Sequence, residues 1–410
     1  MSFRPVFLAV LIGTALVVAG YLVNAYRPRS VTDQPSAALV RASGKCAECH
    51  RNLQYSVVHE YEMSVHAKKD VNCLECHQPA TEQQGKEHHG FVISTKLTAG
   101  NCRSCHETVY QQFLRSRHAA PAWASVMGDK DFTAEQVAFS EQFQPGGCKR
   151  PPHPLTQLEG AAATTSGCAT CHSVGRPNAD STIGSCTACH TRHTASVAVA
   201  RLPSTCGQCH LGPDHSQLEI YTESKHGVLF AAQQRLLDLN VAPKKLTTRE
   251  MFVPTCAICH MSGINGMNVT HDPGERLSYY LFAEVTDKRP NFARGQAAMK
   301  DVCRNCHTTP LIDRVYHDAE AVVSSTNDKV KEIKEIIDGL RKDGLLNKPF
   351  EQPIDFAYFD LWHYYGRTAK HGAFMGGADY VQWHGNYPLL KHGVEIKSMA
   401  EEMRRSHGKK

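Results

Sequence analysis

The stretch that decides the fold runs from residue 186 to residue 226 and reads CTACHTRHTASVAVARLPSTCGQCHLGPDHSQLEIYTESKH. It contains two CxxCH units, in each of which two cysteines can form thioether bonds to a c-type haem while the histidine binds its iron. Three further histidines, His193, His215 and His226, lie outside these units, and Asp214 directly precedes His215. The stretch therefore offers spare iron ligands and an acid/base pair beside two haem sites.

The CxxCH unit occurs eight times in the chain and uses sixteen of its seventeen cysteines. The cysteine pairs are Cys46 and Cys49, Cys73 and Cys76, Cys102 and Cys105, Cys168 and Cys171, Cys186 and Cys189, Cys206 and Cys209, Cys256 and Cys259, and Cys303 and Cys306. The histidines that close the units are His50, His77, His106, His172, His190, His210, His260 and His307. A zinc or disulfide framework does not require a histidine after every CxxC pair. The sequence therefore predicts eight covalently bound c-type haems.

The haems explain how a chain of this composition can fold. Eight haems in 410 residues leave about fifty residues for each, and 41% hydrophobic residues is below the globular norm. We predict a mainly α fold with extensive loops and a core built around the haems, because the macrocycles supply apolar surface. The formal charge of +5 does not indicate nucleic-acid binding. Two ionised propionates per haem would add about sixteen negative charges.

The N-terminus predicts export. An uncharged run from Val6 to Val23 is closed by Arg27 and is long enough to span a bilayer. We predict an uncleaved anchor that holds the protein on the periplasmic side of the cytoplasmic membrane, with a cleaved signal segment as the alternative. Thioether attachment takes place outside the cytoplasm, which also indicates a periplasmic location for the haem region.

The chain is predicted to contain four regions: residues 1–30 as the anchor or signal segment, 31–45 as a polar linker, 46–320 as the octahaem-binding domain and 321–410 as a C-terminal helical region. In the last region, one helix is predicted from apolar residues at helical spacing, which are Val330, Ile333, Ile337 and Leu340, with Gly344 at its C-terminal end. Two further helices are predicted over 389–405 and 231–239.

A recurring pattern predicts distal iron ligands. An aromatic residue is followed by a serine three positions later and a histidine five positions later at Tyr61, Phe113 and Tyr221. On one helix the aromatic residue and the serine would share a face, so we expect the pattern to pack on a haem and deliver its histidine to the iron. The histidines of the three copies are His66, His118 and His226.

Four more distal ligands are predicted, which are His89 (with His88 as the alternative), His193, His271 and His317. Seven distal ligands would leave one of eight irons open, and an open iron is where small molecules bind. The count alone does not identify that haem, because other spare histidines could change it: His59, His153, His363, His371, His384 and His392.

The chain resembles the octahaem hydroxylamine oxidoreductase family over most of its length after residue 45, in the segments SGCATCH, GSCTACHTRH, CGQCHLGPDH, YTESKHG, CHMSG, THDPGER, LWHYYGR, HGAFMGGADY and QWHG. The resemblance implies that the fourth haem, attached next to His172, is the five-coordinate catalytic one and faces Asp214 and His215. It also implies a homotrimer in which a tyrosine of a neighbouring subunit is bonded to the catalytic porphyrin. Tyr380 is the predicted equivalent and Tyr387 the second candidate.

This resemblance implies an enzyme that converts hydroxylamine or a related small nitrogen compound at the fourth haem and passes electrons through the other seven. The chain is shorter than the hydroxylamine-oxidising members and carries a predicted anchor. One alternative is therefore a reductase of nitrite or hydroxylamine to ammonia, fed by membrane quinol. A non-catalytic electron conduit is the second alternative. The expected redox partner is a cytochrome or a membrane quinone oxidoreductase.

Overall fold

Helices joined by irregular segments make up almost all of the described chain. The structure is a computed structural model that describes residues 12–19, 37–79 and 85–407. The chain divides into two units, Met1–Asn72 and Cys73–Lys410. The prediction of a mainly α fold with extensive loops is confirmed. The predicted region boundaries after residues 30, 45 and 320 stay predictions.

In the first unit, the first CxxCH unit lies in the second half of a long helix. The helices are α1 (residues 12–19), α2 (Ala37–Leu53), α3 (Tyr55–Met63) and a 3₁₀ turn (Ala67–Lys69). Helix α2 changes direction at Gly44, whose φ of 59° is a left-handed conformation that glycine adopts without strain. Because α2 begins at Ala37, the end of the predicted linker is helical.

No helix within residues 12–19, 37–79 and 85–407 is long and apolar enough to cross a membrane. Of the predicted anchor between Val6 and Val23, only residues 12–19 are described, and they are helical. The rest of that segment lies outside the described residues, so the anchor stays a prediction.

The first part of the second unit is built from short helices. They are α4 (Cys73–His77), α5 (Ala99–Leu114), α6 (Ala120–Met127), α7 (Ala134–Phe143), α8 (Pro154–Glu159), α9 (Ala161–Ser166), α10 (Cys168–His172), α11 (Val197–Arg201), α12 (Pro203–Gly207), α13 (Gln217–Glu223), α14 (Lys225–Gln233), α15 (Cys256–His260) and α16 (Phe292–Arg304). Strands β1 (Lys86–His88) and β2 (Phe91–Ile93) form an antiparallel hairpin. The motif cysteines are all exposed or half-buried, whereas Cys148, outside the motifs, is buried.

The predicted helix over 231–239 is only partly present. Helix α14 ends at Gln233, and a 3₁₀ turn extends from Gln234 to Leu236. Leu237 then has an extended backbone, and its side chain packs against the apolar cluster around Met251. The next residue, Asp238, donates its backbone N–H to the carbonyl of Glu250. Packing and this backbone bond therefore override the local helical preference.

The C-terminal part contains longer helices and a continuous apolar core. Its elements are α17 (Thr309–Lys342), α18 (Pro353–Phe359), a π-helical turn (Asp360–Gly366), α19 (Arg367–Met375), α20 (Ala378–Val381), a second π-helical turn (Gln382–Asn386) and α21 (Tyr387–His407). Both helices predicted for the C-terminal region are confirmed, as α17 and α21. The four apolar residues that predicted α17 are buried together against Leu389 and Ile396 of α21. Gly344 lies just beyond α17 with a φ of 71°.

Candidate functional site

One helical turn carries a complete CxxCH unit in three places. Helices α4, α10 and α15 each begin at the first cysteine of a unit and end at its histidine. Cysteines three residues apart lie on one face of such a turn, and the histidine follows directly. Both thioether bonds and the axial nitrogen can therefore reach one haem from the same turn.

Neighbouring units in space are not always neighbours in sequence. Three pairs of cysteine side chains lie next to each other: Cys102 with Cys186, Cys206 with Cys256, and Cys171 with Cys209. The third haem site therefore adjoins the fifth, the sixth adjoins the seventh, and the fourth adjoins the sixth. This arrangement places the fourth site beside others to which electrons can pass.

Three predicted distal histidines lie opposite a motif histidine at a common spacing. The pairs and their ring-centre distances are His118 with His210, 5.9 Å; His190 with His271, 6.4 Å; and His226 with His307, 5.9 Å. A bond between a metal and an imidazole nitrogen is about 2 Å long, so two rings on opposite sides of one iron have centres about 6 Å apart. The spacing fits an iron between each pair.

Two buried imidazoles add to this fit. Within the described residues, Nδ1 of His260 and Nδ1 of His271 are buried without a hydrogen-bond partner. Burial is the main reason why the pKa of each falls to about 4. The neutral imidazole is the form that binds a metal, so both side chains suit an iron ligand. The residues present therefore fit c-type haem at these positions.

The other four predicted distal ligands have varied surroundings. His66 is half-buried at the start of a 3₁₀ turn. His89 is exposed, with a φ of 50° and its ring centre 4.7 Å from that of His88. His193 has a φ of 63°. The side chain of His317 is 84% exposed, with Nδ1 3.3 Å from the Asp318 carboxylate. Ligation by these four histidines stays a prediction.

The aromatic–serine–histidine pattern forms a corner between two helical segments, and the expectation of a single helix face was wrong. The serine is buried in all three copies, and its backbone N–H donates to the carbonyl of the aromatic residue. The hydroxyls of Ser64 and Ser224 accept the N–H groups of Ala67 and Gly227, and Ser224 is the N-cap of α14. The histidine therefore lies in the first turn after the corner.

A small residue after the histidine completes this pattern, and the sequence reasoning missed it. Ala67, Ala119 and Gly227 occupy that position and are buried. At Gly227 an added Cβ would lie 1.9 Å from the carbonyl oxygen of Tyr221. The tight corner therefore excludes larger side chains. The sequence shows this requirement, because a small residue follows the histidine directly in all three copies of the pattern.

His172, the motif histidine of the fourth site, is hydrogen-bonded to residues of helix α6. Its Nδ1 lies 2.6 Å from the Ala122 carbonyl and 2.9 Å from the Ser125 hydroxyl. A hydrogen bond at Nδ1 fixes the orientation of the ring and leaves Nε2 for the iron. His172 is therefore firmly oriented by the protein, and His77 has a similar Nδ1 contact with the Ser94 carbonyl.

Asp214 and His215 are in contact with each other and lie near His172. The Asp214 carboxylate is 2.6 Å from Nδ1 of His215, and the ring centre of His215 is 6.3 Å from that of His172. It is also 6.0 Å from the ring centre of His210, in the adjoining sixth site. The bond to Asp214 leaves Nε2 of His215 as the nitrogen for proton exchange or for iron. The 6.3 Å spacing is compatible with both roles.

Asp214 stays ionised next to His215. Burial alone would raise its pKa, but the hydrogen bond from His215 and the nearby His363 and Arg367 hold the pKa below its ordinary value. An ionised carboxylate accepts a hydrogen bond from the imidazole and fixes the orientation of the ring. The pair can therefore hold and release a proton at the fourth site.

The structure adds residues that the sequence reasoning did not assign to this site. The Phe282 ring centre lies 5.1 Å from that of His215. Arg367 donates from Nε to the Phe282 carbonyl at 2.9 Å and from Nη1 to Nε2 of His363 at 2.8 Å. Burial lowers the pKa of Arg367 to about 10, so it stays charged at neutral pH. The sequence signal that could have identified His363 and Arg367 is the LWHYYGR segment that contains both. Most of this segment forms a π-helical turn, a feature common at functional sites.

The two candidate cross-linking tyrosines differ in exposure. Tyr380 is only 8% exposed, and its ring stacks on that of His384 with centres 4.6 Å apart. Tyr387, at the start of α21, is 53% exposed and lies beside Trp383. Tyr380 is therefore covered by its own chain, whereas the Tyr387 ring is accessible. A covalent bond from either residue stays a prediction.

Comparison with known proteins supports a multihaem cytochrome. The family model described as "Seven times multi-haem cytochrome CxxCH" matches residues 69–350. This range contains seven of the eight CxxCH units and leaves out the unit at Cys46.

The relatives point in the same direction. A "Probable nitrite reductase-hydroxylamine oxidoreductase fusion protein" of Kuenenia stuttgartiensis is 24% identical over 84% of this chain, which spans only 43% of that relative's length. A structure named "Hypothetical multiheme protein" is 20% identical, with a TM-score of 0.76 over 92% of this chain and 97% of its own. The reducing HAO-like protein complex of Kuenenia stuttgartiensis is 19% identical, with a TM-score of 0.67 over 92% and 88%. The two structures share the fold.

Proposed function

Because the chain belongs to the multihaem cytochrome family that carries CxxCH haem sites, we propose that it is an octahaem oxidoreductase acting on hydroxylamine or a related small nitrogen compound at the fourth haem. The observation that carries the proposal is the Asp214–His215 pair beside His172. The similarity to a probable nitrite reductase-hydroxylamine oxidoreductase fusion protein supports this substrate class. The other seven haems would carry electrons.

When bound, a c-type haem with an open axial position supplies a binding site for a small molecule and exchanges electrons one at a time. The protein supplies the protons. His215, oriented by Asp214 through Nδ1, would hold a proton at Nε2 and deliver it to or take it from the substrate. Each electron that reaches or leaves nitrogen requires such charge balance.

Arg367 and Asp214 place opposite charges at this site. Arg367 is a cation close enough to Asp214 and His363 to affect the pKa of both. The Phe282 ring centre lies 5.3 Å from the Arg367 guanidinium carbon and 5.1 Å from the ring centre of His215. The cation attracts nitrite, while the ionised Asp214 carboxylate orients His215. Nitrite is a substrate of the reductive reaction and a product of the oxidative one, so this charge pair serves both directions.

The predicted anchor is the reason for proposing the reductive direction. In the family that the sequence resembles, the tyrosine cross-link accompanies removal of electrons from hydroxylamine; here Tyr380 is covered by its own chain, whereas Tyr387 is accessible. Reduction of hydroxylamine to ammonia and water consumes two electrons and two protons. A membrane quinol oxidoreductase is the proposed electron donor, consistent with the predicted N-terminal anchor and periplasmic location. A cytochrome partner is the alternative donor or acceptor.

The direction can be tested with the purified holoprotein. The protein reduced by an artificial donor should form ammonia from nitrite or hydroxylamine. This rate should exceed the rate at which hydroxylamine reduces the haems of the oxidised protein. Intact mass under denaturing conditions should show single chains carrying eight haems. Chains that stay linked after boiling, together with hydroxylamine-driven haem reduction, would contradict the reductive direction and support a cross-link through Tyr387 or Tyr380.

A homotrimer is also proposed. Four large apolar side chains are exposed on the second π-helical turn and α21, which are Trp383, Tyr387, Leu390 and Val394. Burial of such side chains against another subunit would be favourable, since exposed apolar patches mark contact sites. Sedimentation of the holoprotein should give three times the mass of one chain, and a monomer at all concentrations would contradict the proposal.

A further inference from the structure

A polar cavity adjoins the proposed fifth haem site. Its volume is about 460 Å³, and its lining includes Gln112, Gln144, Asp272, Tyr280 and Arg289. Asp272 directly follows His271, the proposed distal ligand of the fifth haem. The Gln112 side-chain oxygen accepts the backbone N–H of His271 at 3.1 Å. The cavity is therefore connected to this ligand by both sequence and hydrogen bonding.

Arg289 lines this cavity, and Arg117 contacts two of its other lining residues, Gln144 and Tyr280. Nη2 of Arg289 and Nε of Arg117 both donate to the side-chain oxygen of Gln144, each at 3.2 Å. Both guanidinium carbons also lie over the Tyr280 ring, 4.6 Å and 4.7 Å from its centre. Two cations therefore share one neutral acceptor and one aromatic ring.

Arg289 is the deeper of the two. Its side chain is only 7% exposed, and within the described residues its Nε is buried without a hydrogen-bond partner. Asp272 and Glu275 also line the cavity, where they offset part but not all of the positive charge of Arg115, Arg289 and Arg294. Like charges repel, and a buried unpaired N–H is unfavourable. An anion in the cavity would relieve both effects.

We propose that this cavity is a carboxylate-binding clamp in which Arg289, assisted by Arg117, holds an oxyanion. The guanidinium fork of Arg289 matches the two oxygens of a carboxylate. One source is a propionate of the fifth haem, and the other is a dissolved carboxylate-like anion. The inference rests on the cavity and its arginines, and it does not depend on turnover at the fourth haem.

The test compares the wild-type holoprotein with Arg289→Gln and Arg289→Lys, and uses Arg235→Gln at an exposed position as the matched control. Resonance Raman difference spectra report on propionate hydrogen bonding, and calorimetric titration with acetate reports on exchangeable binding. The lysine variant retains the positive charge of Arg289 but lacks its guanidinium fork. It is used in place of the glutamine variant if the glutamine variant does not fold with all its haems.

If a haem propionate occupies the clamp, Arg289→Gln should change the propionate bending band and neither protein should bind acetate. If a dissolved anion occupies it, the band should stay unchanged and the variant should bind acetate about tenfold to a hundredfold more weakly than wild type. Identical Raman bands together with identical acetate titrations, or equal effects of Arg235→Gln, would overturn the proposal. Loss of activity at the fourth haem alone would not affect it.

Discussion

The C-terminal helices and the CxxCH-rich part of the second unit are held together differently. Helices α17 and α21 bury their own apolar side chains, with Val330, Ile337, Leu340 and Ile396 almost fully inaccessible. Between residues 73 and 308 the buried apolar clusters are smaller, and the motif cysteines are exposed or half-buried. The first region is therefore stabilised mainly by side chains, whereas the second requires its haems to complete the core.

The largest expected effect concerns function without loss of fold. His215→Ala should lower turnover by about 10²- to 10⁴-fold, because a positioned proton donor is lost. Haem content and the C-terminal core should be unchanged. Steady-state kinetics with nitrite and hydroxylamine measures the rate, and optical spectra test the competing role. A new high-spin haem in the variant would identify His215 as an iron ligand and contradict the proton-transfer assignment.

In the C-terminal core, we expect a loss of stability without a change at the haems. Ile337→Ala should lower the free energy of unfolding by about 2–5 kcal/mol, because it leaves a cavity between α17 and α21. Its haem spectrum should match wild type. Denaturant unfolding followed by circular dichroism measures the change, with Val315→Ala at a 42% exposed position of α17 as the control. Equal losses for both variants would show that this core does not carry the stability.

A distal ligand should be separable from haem attachment. His226→Ala should open one iron and create one new high-spin haem, while the thioether bonds keep that haem in place. Electron paramagnetic resonance counts high-spin centres, and intact mass counts haems. His384→Ala, at an exposed histidine paired with Asp379, is the matched control. The same proportion of low-spin haem in both variants would contradict the assignment of His226 opposite His307.

The smallest effect is expected at a helix corner. Ser224→Ala removes the hydroxyl that accepts the Gly227 N–H and should destabilise the fold by about 0.5–2 kcal/mol. Thermal unfolding of the holoprotein measures this change. Ser398→Ala, at an exposed position inside α21, should have almost no effect. If the two variants unfold alike, the buried serine does not act as a cap.

The sequence was sufficient where the structure depends on local periodicity or covalent chemistry. The spacing of Val330 and Ile337 predicted α17, because the same side chains that create the period also form the core. The sequence did not predict the corner at Ser224, because two residues three positions apart can lie on one helix face or on the two sides of a corner between helices. It also did not reveal Arg367 beside Phe282, because a hydrogen bond between residues 85 positions apart joins them.

The most direct test of the central claim, one reactive iron at the fourth site among haems with two axial histidines, is a spectroscopic titration of the wild-type holoprotein. The as-isolated protein should show one high-spin haem, and nitrite, hydroxylamine or cyanide should shift that signal alone. His215→Ala should retain the response, because His172 and the thioethers keep the haem in place. Eight low-spin haems that none of the three compounds affects would contradict the claim and support an electron conduit.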